Sequence, residues 1–380
     1  MQTKILKDIL NTPQGRKAND ILRSCVHCGF CLPVCPTYNL LLNETDSPRG
    51  RVYLIKNILE GEGITKKSIK HLDRCLTCRA CEVNCPSGVK YGYLLDIGRD
   101  LVEPKRNFYQ KSIRYFLAKL LTTPAIFNTL LVHKTLFNKS YKSKKHPNKV
   151  LLIKGCVQPT LRIDINNAVI KILNKLDLEV IETKQSECCG AVEQHLSAPD
   201  AALEKVKQNI DNWHNQLQNR VEAIISTASG CGAMIKDYYS LLKDDKNYAL
   251  KAKEVLAKTF DIAEFLTDKD LSKLKLKNNN ISFHSPCTLQ HGQRIIGVVE
   301  NILEKLGAKL NKVEDSHLCC GSAGTYSILQ KDIAKKLVNN KIKYLTKNNP
   351  DIIVTANIGC LMHLKKNSKI EVKHWVEVIN

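Results

Sequence analysis

Two copies of one cysteine pattern constrain this sequence more than any other feature. Each copy has three cysteines at every third position and a fourth cysteine a few residues later, followed directly by proline. The copies are Cys25-Val-His-Cys28-Gly-Phe-Cys31-Leu-Pro-Val-Cys35-Pro36 and Cys75-Leu-Thr-Cys78-Arg-Ala-Cys81-Glu-Val-Asn-Cys85-Pro86. Three thiolates at this spacing surround one corner of an iron-sulfur cube, whereas the fourth cysteine points away from it. The pattern therefore predicts two iron-sulfur clusters.

The fourth cysteine of each run usually ligates the cluster of the other run. The predicted ligands of one 4Fe-4S cluster are therefore Cys25, Cys28, Cys31 and Cys85. Those of the second cluster are Cys75, Cys78, Cys81 and Cys35. A pair of structural zinc sites is the alternative, because Cys-x2-Cys pairs also bind zinc. Zinc gives no reason for a regular run of four cysteines that ends in Cys-Pro twice, so the cluster interpretation is favoured.

Apolar residues at helical spacing surround both cysteine runs. Residues 3–24 predict helices on either side of a break at Pro13 and Gly15, and residues 51–59 predict another helix between the runs. The sequence therefore predicts a helical ferredoxin-type domain over residues 1–100. In such a domain helices, rather than small strands, hold two clusters close enough for electron transfer.

Basic residues concentrate in the segment that follows. The chain has a formal net charge of +21, and residues 101–150 hold eleven Lys or Arg against one acidic residue, Glu103. Because aromatic and aliphatic residues recur among them, residues 101–149 predict a basic amphipathic helical linker. Three roles stay open for such a helix: it can lie on an anionic membrane surface, contact a partner subunit, or pack on its own domain. Nucleic-acid binding is not expected, because no motif for it accompanies the charge.

Beyond residue 150 the sequence repeats itself. Each copy has a cysteine after a strand, then an adjacent cysteine pair followed by glycine, then a cysteine that ends a further apolar segment, residues 223–231 or 351–360. The spacings are 32 residues in both copies and then 42 or 40 residues. Strands that alternate with helices predict parallel sheets, whose carboxyl ends carry ligand sites. Two Cys-Cys-Gly α/β domains are therefore predicted, over residues 150–270 and 271–380, which makes the chain an α+β multidomain protein.

Two interpretations of the repeated cysteines stay open. Four thiolates per copy are a full coordination set and can hold a further iron-sulfur cluster; alternatively the thiols are redox-active or structural and bind no metal. The two sets are Cys156, Cys188, Cys189 and Cys231, and Cys287, Cys319, Cys320 and Cys360. No Gly-x-Gly-x-x-Gly follows a strand and there is no phosphate loop, so neither FAD nor NAD is expected on this chain.

The sixteen cysteines also bear on the compartment. No apolar signal sequence opens the chain, and thiolates that are committed to metal fit a reducing cytoplasm. No run of about 18 uncharged apolar residues occurs, so a transmembrane helix is not expected.

The order of a ferredoxin-type pair and then two Cys-Cys-Gly domains resembles the iron-sulfur subunits of bacterial glycolate oxidase (glycolate dehydrogenase). The segments that carry the resemblance are residues 24–31, 48–51, 71–78, 227–232, 286–291, 316–326 and 355–360. The resemblance covers nearly the whole chain, and the eight cysteines from Cys25 to Cys85 match the family's cluster ligands position by position. In the more distant heterodisulfide reductases the Cys-Cys-Gly motifs end in Cys-x2-Cys, where this chain has Met234 and His363. This difference argues against a five-cysteine noncubane cluster.

The resemblance implies a place in an oxidoreductase complex. In it, flavin-containing subunits oxidise glycolate to glyoxylate, with D-lactate as a second substrate, and this subunit passes electrons toward a quinone or another membrane acceptor. The chain itself would carry no catalytic residue and would lie peripherally on the cytoplasmic face of the inner membrane. The iron-sulfur subunit of anaerobic glycerol-3-phosphate dehydrogenase has a similar domain order and is one alternative. A heterodisulfide-reductase-like thiol-disulfide reductase is the other.

Overall fold

Short helices and cysteine-bearing loops alternate in the first part of the chain. The computed structural model describes residues 1–123, 140–182 and 188–380. The helices of the first part are Lys7–Leu10, Pro13–Ser24, Pro36–Leu41, Pro48–Leu59, Lys66–Asp73, Ala80–Val83, Tyr91–Val102 and Phe108–Thr122, with 3₁₀ turns at Glu44–Asp46 and Glu103–Lys105. This arrangement confirms the helical ferredoxin-type domain.

The Pro13–Ser24 helix starts at a residue that the sequence predicted to break a helix. The Thr12 hydroxyl accepts a hydrogen bond from the Gly15 amide at 2.9 Å, and Pro13 stands at the first helical position, where no amide donor is needed. Gly15 lies inside the helix. Glycine is needed there because a Cβ atom would come 1.9 Å from the carbonyl oxygen of Ile9. The predicted break at Pro13 is confirmed, and the one at Gly15 is wrong.

Aliphatic side chains from these helices form one core beside the cysteine loops. Burial of each such side chain contributes roughly 1.5 to 3 kcal/mol to folding. The fully buried members are Ala18, Leu22, Ile55, Leu59, Leu72, Leu94, Leu95 and Val102. The core contacts both loops, because Cys75 and Cys81 belong to it and Cys25 and Cys31 pack against it.

Two four-stranded parallel sheets follow, as the alternation of strands and helices predicted. The first sheet contains β1 (Asn148–Ile153), β2 (Leu178–Glu182), β3 (Val221–Ser226) and β4 (Thr259–Asp261) in the order β2-β1-β3-β4. The second contains β5 (Asn280–His284), β6 (Lys309–Leu310), β7 (Ile352–Thr355) and β8 (Val372–His374) in the order β6-β5-β7-β8. The equivalent strand orders confirm the duplication.

Helices connect these strands. They are Gln158–Leu161, Ile163–Lys175, Ala191–His195, Pro199–Gln218, Ser229–Lys236, Tyr238–Leu242, Ala249–Ala257, Ile262–Leu266, Val298–Lys305, Tyr326–Leu329, Lys331–Thr346 and Ile358–Asn367, with a π turn at Thr288–Gly292 and a 3₁₀ turn at Trp375–Val378.

The last cysteine of each copy lies on a helix rather than at the end of a strand. β3 ends at Ser226 and Cys231 is in the Ser229–Lys236 helix, whereas β7 ends at Thr355 and Cys360 is in the Ile358–Asn367 helix. The predicted apolar segments 223–231 and 351–360 were therefore too long as strands. A run of small and apolar residues continues from each strand into the helix, and such a run does not distinguish the two.

The chain divides into two compact units. One comprises Met1–Tyr115, His195–Ser197 and His317–Lys341, and the other Phe116–Gln194, Ala198–Ser316 and Ile342–Asn380. The domain boundaries drawn from the sequence stay predictions. Part of the predicted linker helix lies outside the described residues, including Ile126, Phe127, Leu130, Leu131 and Leu136. No helix in the described ranges combines the length and apolar character that crossing a membrane requires.

Candidate metal centres

The two cysteine runs follow the same backbone path. The second residue after the first cysteine has a positive φ in both runs, 57° at His27 and 53° at Thr77. The fourth residue does as well, 88° at Gly29 and 60° at Arg79. Positive φ is uncommon outside glycine. Its recurrence at matching positions shows that the sequence repeat is also a structural repeat.

A tight turn places the fourth cysteine at the end of each loop. The amide of Cys35 donates to the carbonyl oxygen of Leu32 at 3.1 Å, and the amide of Cys85 donates to that of Glu82 at 3.3 Å. Pro36 begins the next helix directly after the first loop. In the first run, the proline that follows the fourth cysteine therefore ends the loop.

The structure brings Cys35 to the three cysteines of the other run. Burial raises the pKa of Cys81 well above its usual value, and the charges of Cys78, Cys75 and Cys35 raise it further. The amide of Thr77 points at the Cys75 sulfur, 3.4 Å away. Such crowding of buried thiols suits a metal group that carries positive charge, and an all-sulfur donor set is typical of iron-sulfur or zinc sites. The donor set therefore fits the group that the sequence predicts.

The other predicted set lies closer to solvent. Burial raises the pKa of Cys31 to about 11, and the charges of Cys25 and Cys35 also raise it. Cys25, Cys31 and Cys85 pack against the same apolar core, whereas Cys28 is exposed. The environments of the two sets therefore differ.

A buried group of charged residues lies next to the second set, and sequence reasoning missed it. The Asp46 carboxylate is fully buried and contacts Arg51 Nη2 at 3.4 Å, His71 Nδ1 at 2.9 Å and Arg74 Nη1 at 2.9 Å. The only signal in the sequence was that Arg51, His71 and Arg74 fall in segments adjoining the cysteine runs. Charged side chains are seldom fully buried unless they are paired, so this group marks a specialised site.

The first Cys-Cys-Gly set comes together within one compact unit. A hydrogen bond between the Cys156 and Cys188 side chains raises the pKa of Cys156, and burial adds to the effect. A hydrogen bond with Cys231 raises the pKa of Cys189 in the same way, again with burial. The four thiols thus form two hydrogen-bonded pairs, and this all-sulfur set also fits a metal centre.

Two side chains that the sequence did not indicate support this cysteine pair. Asn209 Nδ2 donates to the carbonyl oxygen of Cys188 at 2.9 Å, and the Tyr238 hydroxyl donates to that of Cys189 at 3.0 Å. Trp213 stacks on Tyr238 with ring centroids 6.0 Å apart. All three residues are buried, and their burial fixes the backbone of the pair.

The glycine of each Cys-Cys-Gly motif is required by its surroundings. Gly190 has φ +80°, and a Cβ atom there would lie 3.1 Å from the Ala202 carbonyl oxygen. Gly321 has φ +87°, and a Cβ atom there would lie 3.0 Å from the Ala334 carbonyl oxygen. Both copies therefore pack the motif closely against a helix backbone.

The second Cys-Cys-Gly set is divided between the two compact units. Cys319 and Cys320 belong to the unit that contains the ferredoxin-type domain, and Cys287 and Cys360 belong to the other. All four are buried. The Gly321 amide lies 3.4 Å from the Cys319 sulfur, and Asn357 Nδ2 lies 3.5 Å from the Cys360 sulfur. Each half of the set thus has a polar donor directed at a sulfur.

Comparison with known proteins agrees with this organisation. Residues 21–89 match the 4Fe-4S dicluster domain, and residues 150–236 and 281–365 each match the cysteine-rich domain. The chain is 44% identical over 400 residues to the glycolate oxidase iron-sulfur subunit of Escherichia coli K12, an alignment that covers 100% of this chain and 98% of that protein. The chain belongs to the family of glycolate oxidase iron-sulfur subunits. As a member of this family, it is an iron-sulfur subunit of an oxidoreductase complex.

Other relatives extend the comparison. The probable glycolate oxidase iron-sulfur subunit of Bacillus subtilis 168 is 30% identical over 415 residues, which covers 95% of this chain and 92% of that protein. Lactate utilization protein A of Halalkalibacterium halodurans is 26% identical over 245 residues. That alignment covers 61% of this chain and 96% of that protein. This chain also superposes on the crystal structure of a hypothetical protein from Helicobacter pylori, with a TM-score of 0.61 and 10% sequence identity. The superposition covers 97% of this chain and 72% of that protein. That likeness shows the fold alone.

Proposed function

We propose that this chain is the electron-transfer subunit of a glycolate-oxidising complex. It receives electrons from a flavin-containing subunit that oxidises glycolate to glyoxylate and passes them toward a quinone at the membrane. The observation that carries the proposal is the pair of matching cysteine loops on one buried core, in a chain with full-length similarity to a glycolate oxidase iron-sulfur subunit. The chain supplies no catalytic residue in this account, because its part is to hold electron carriers.

The proposed ligands follow the crossed arrangement of the two loops. One 4Fe-4S cluster is held by Cys25, Cys28, Cys31 and Cys85, and the other by Cys75, Cys78, Cys81 and Cys35. The charge of Cys35 acts on Cys81, a cysteine of the other run, and this supports the crossing. A bound 4Fe-4S cluster supplies one-electron transfer. The chain buries Cys35, Cys75 and Cys81 of the second set and leaves Cys28 of the first set exposed.

Electrons enter or leave most directly beside Cys28. Among the cysteines, all of which lie in the described ranges, Cys28 alone is exposed. Its neighbours Val26 and Phe30 are 65% and 66% exposed. A partner subunit can therefore approach the first set more closely than the buried second set.

The first Cys-Cys-Gly set is proposed to hold a further iron-sulfur cluster, and a cluster on the four cysteines of the second set stays a prediction from the sequence. The paired thiols of the first set support this assignment, since four sulfurs in one place complete a coordination shell. Thiol-disulfide chemistry is the second candidate for this half of the chain. The hydrogen bond from Cys156 lowers the pKa of Cys188, and a lowered pKa favours a reactive thiolate.

The complex is proposed to lie peripherally on the cytoplasmic face of the inner membrane. The Phe108–Thr122 helix carries exposed aromatic side chains, with Phe108 86% and Tyr109 72% exposed, beside lysines such as Lys111 and Lys119. Basic helices with exposed aromatic residues bind anionic membrane surfaces. This helix is therefore the proposed contact with lipid.

The substrate and the direction of electron flow can be tested together. The complex is purified anaerobically and supplied with glycolate, D-lactate or glycerol-3-phosphate. For each substrate, reduction of a dye that accepts electrons directly from the flavin is compared with reduction of a quinone analogue. We expect glycolate to support both reactions, and a Cys78→Ser variant to lose quinone reduction while it keeps dye reduction. Val83→Ala, an exposed change in the same loop, serves as the control. Activity with glycerol-3-phosphate alone would contradict glycolate oxidation and favour a glycerol-3-phosphate dehydrogenase subunit.

A further inference from the structure

A fully buried arginine lies beside the second ligand set. Arg51 is 0% exposed. Its Nε donates to the carbonyl oxygen of His71 at 2.7 Å, its Nη1 donates to the Thr37 hydroxyl at 3.1 Å, and its Nη2 lies 3.4 Å from Asp46 Oδ1. Every nitrogen of the guanidinium therefore has a partner that holds it in place.

This arginine is connected to the sulfurs of the second set. The Thr37 hydroxyl that Arg51 contacts lies 3.3 Å from the Cys35 sulfur. Burial opposes the charge on Arg51, but the charges of Cys75 and Cys35, together with the Asp46 carboxylate, outweigh burial and raise its pKa. The Tyr91 hydroxyl donates to the Cys75 sulfur at 3.5 Å. A cation and a hydroxyl donor thus act on two sulfurs of the same predicted cluster.

A second buried arginine adds to the positive charge at this place. Arg99 is 6% exposed, and its Nη2 donates to the carbonyl oxygens of Cys75 at 2.7 Å and Leu72 at 3.2 Å. The two positive charges of Arg51 and Arg99 therefore outnumber the single negative charge of Asp46.

The first set has a different electrostatic environment. Arg49, whose charge interacts with Cys31, has a side chain that is 33% exposed and paired with Glu44 at 2.8 Å. Solvent and this carboxylate screen its charge, and Cys28 of the same set is exposed to water. The matching loops are therefore placed in unlike surroundings.

We propose that Arg51 and Tyr91 raise the reduction potential of the cluster held by Cys35, Cys75, Cys78 and Cys81 above that of its neighbour, so that this cluster is reduced first. This inference rests on the ligand sets of the proposed function. Reduction adds one negative charge, and a buried cation and a hydroxyl donor to a ligand sulfur both stabilise it. Burial alone disfavours added charge, so Arg51 is the residue that reverses the order.

The test is a potentiometric titration of the anaerobically purified full-length protein, followed by electron paramagnetic resonance. Arg51→Gln should lower the reduced-to-oxidised ratio of one cluster signal about tenfold at fixed potential, a shift of 59 mV for one electron. Tyr91→Phe, which removes only the hydroxyl, should lower the same ratio about threefold. Arg49→Gln and Tyr93→Phe are the matched controls and should leave that signal in place. A Cys78→Ser variant identifies which signal belongs to the second set.

The outcomes separate this inference from the proposed function. If Arg51→Gln does not fold, Tyr91→Phe decides the question. Unchanged potentials in Tyr91→Phe, or equal shifts of both signals in any variant, would overturn the inference while two clusters remain. A wild-type protein without two 4Fe-4S signals would overturn the ligand sets themselves, and the inference with them.

Discussion

The hydroxyl of Tyr326 donates a hydrogen bond to the backbone carbonyl oxygen of Arg74, 2.9 Å away. Arg74 directly precedes Cys75, and Tyr326 follows the Cys319-Cys320-Gly321 motif within a few residues. Burial raises the pKa of Tyr326, and the charge of Cys75 contributes to the rise. The second Cys-Cys-Gly motif is therefore attached to the loop that begins the second cysteine run.

Replacing this hydroxyl should loosen the loop without removing a cysteine. Tyr326→Phe loses one partly buried hydrogen bond and leaves the carbonyl oxygen of Arg74 unsatisfied, which should cost about 1 to 2 kcal/mol. We expect faster amide hydrogen exchange at residues 74–78 and earlier thermal loss of the visible absorbance of the clusters. Tyr109→Phe, on a 72% exposed side chain, is the control. Unchanged exchange at residues 74–78 would show that the hydrogen bond does not hold the loop.

The glycine of the second Cys-Cys-Gly motif should tolerate no side chain. Gly321→Ala introduces both strain at φ +87° and a contact of 3.0 Å with the Ala334 carbonyl oxygen, whereas Gly307→Ala introduces strain at φ +94° alone. We therefore expect Gly321→Ala to be less stable than Gly307→Ala by at least about 1 kcal/mol. Thermal unfolding of the two variants checks this difference. Equal unfolding temperatures would mean that the motif relaxes away from the helix.

Buried Asp261 should make stability fall as pH rises. Burial raises the pKa of Asp261 to about 6 from its ordinary 3.8. Because the folded protein holds the proton more tightly than the unfolded chain, stability is highest below the unfolded pKa and declines as pH rises through the folded pKa. The decline should amount to roughly 3 kcal/mol relative to Asp261→Asn, which does not titrate. Asn also caps the helix that begins at Ile262.

The measurement is the difference in unfolding temperature between the wild type and Asp261→Asn from about pH 3.5 to about pH 7, which spans the unfolded and the folded pKa. Asp261→Asn should become more stable relative to the wild type across this range. Asp244→Asn, which removes an exposed carboxylate, is the control. A constant difference between the wild type and Asp261→Asn would show that Asp261 does not titrate in this window.

Much of the fold could be predicted from local pattern. The sequence predicted β1, β2, β3, β5 and β7 from short apolar runs, and the Ile163–Lys175 helix from apolar residues at helical spacing. β4, β6 and β8 were not predicted, because each has only two or three residues and is defined by hydrogen bonds to a strand distant in sequence. Short edge strands carry too little apolar pattern to be recognised.

The candidate sites show the same limit. The cysteine ligands can be recognised from their spacing in the sequence. Burial of Arg51 and Asp46, in contrast, depends on partners that only the folded chain brings together. The contact of Tyr326 joins residues 252 positions apart, which no local pattern encodes. Asn209 and Tyr238 likewise look like ordinary helix residues until the Cys188-Cys189 backbone is placed beside them.

The central claim, that this chain is an iron-sulfur electron carrier, is tested most directly by metal analysis. Iron, acid-labile sulfide and zinc per chain are measured on anaerobically purified protein, beside a Cys231→Ser, Cys360→Ser double variant. We expect about twelve to sixteen irons per chain, of which about eight belong to the two loops and the excess is lost in the double variant. Zinc without labile sulfide would contradict the account.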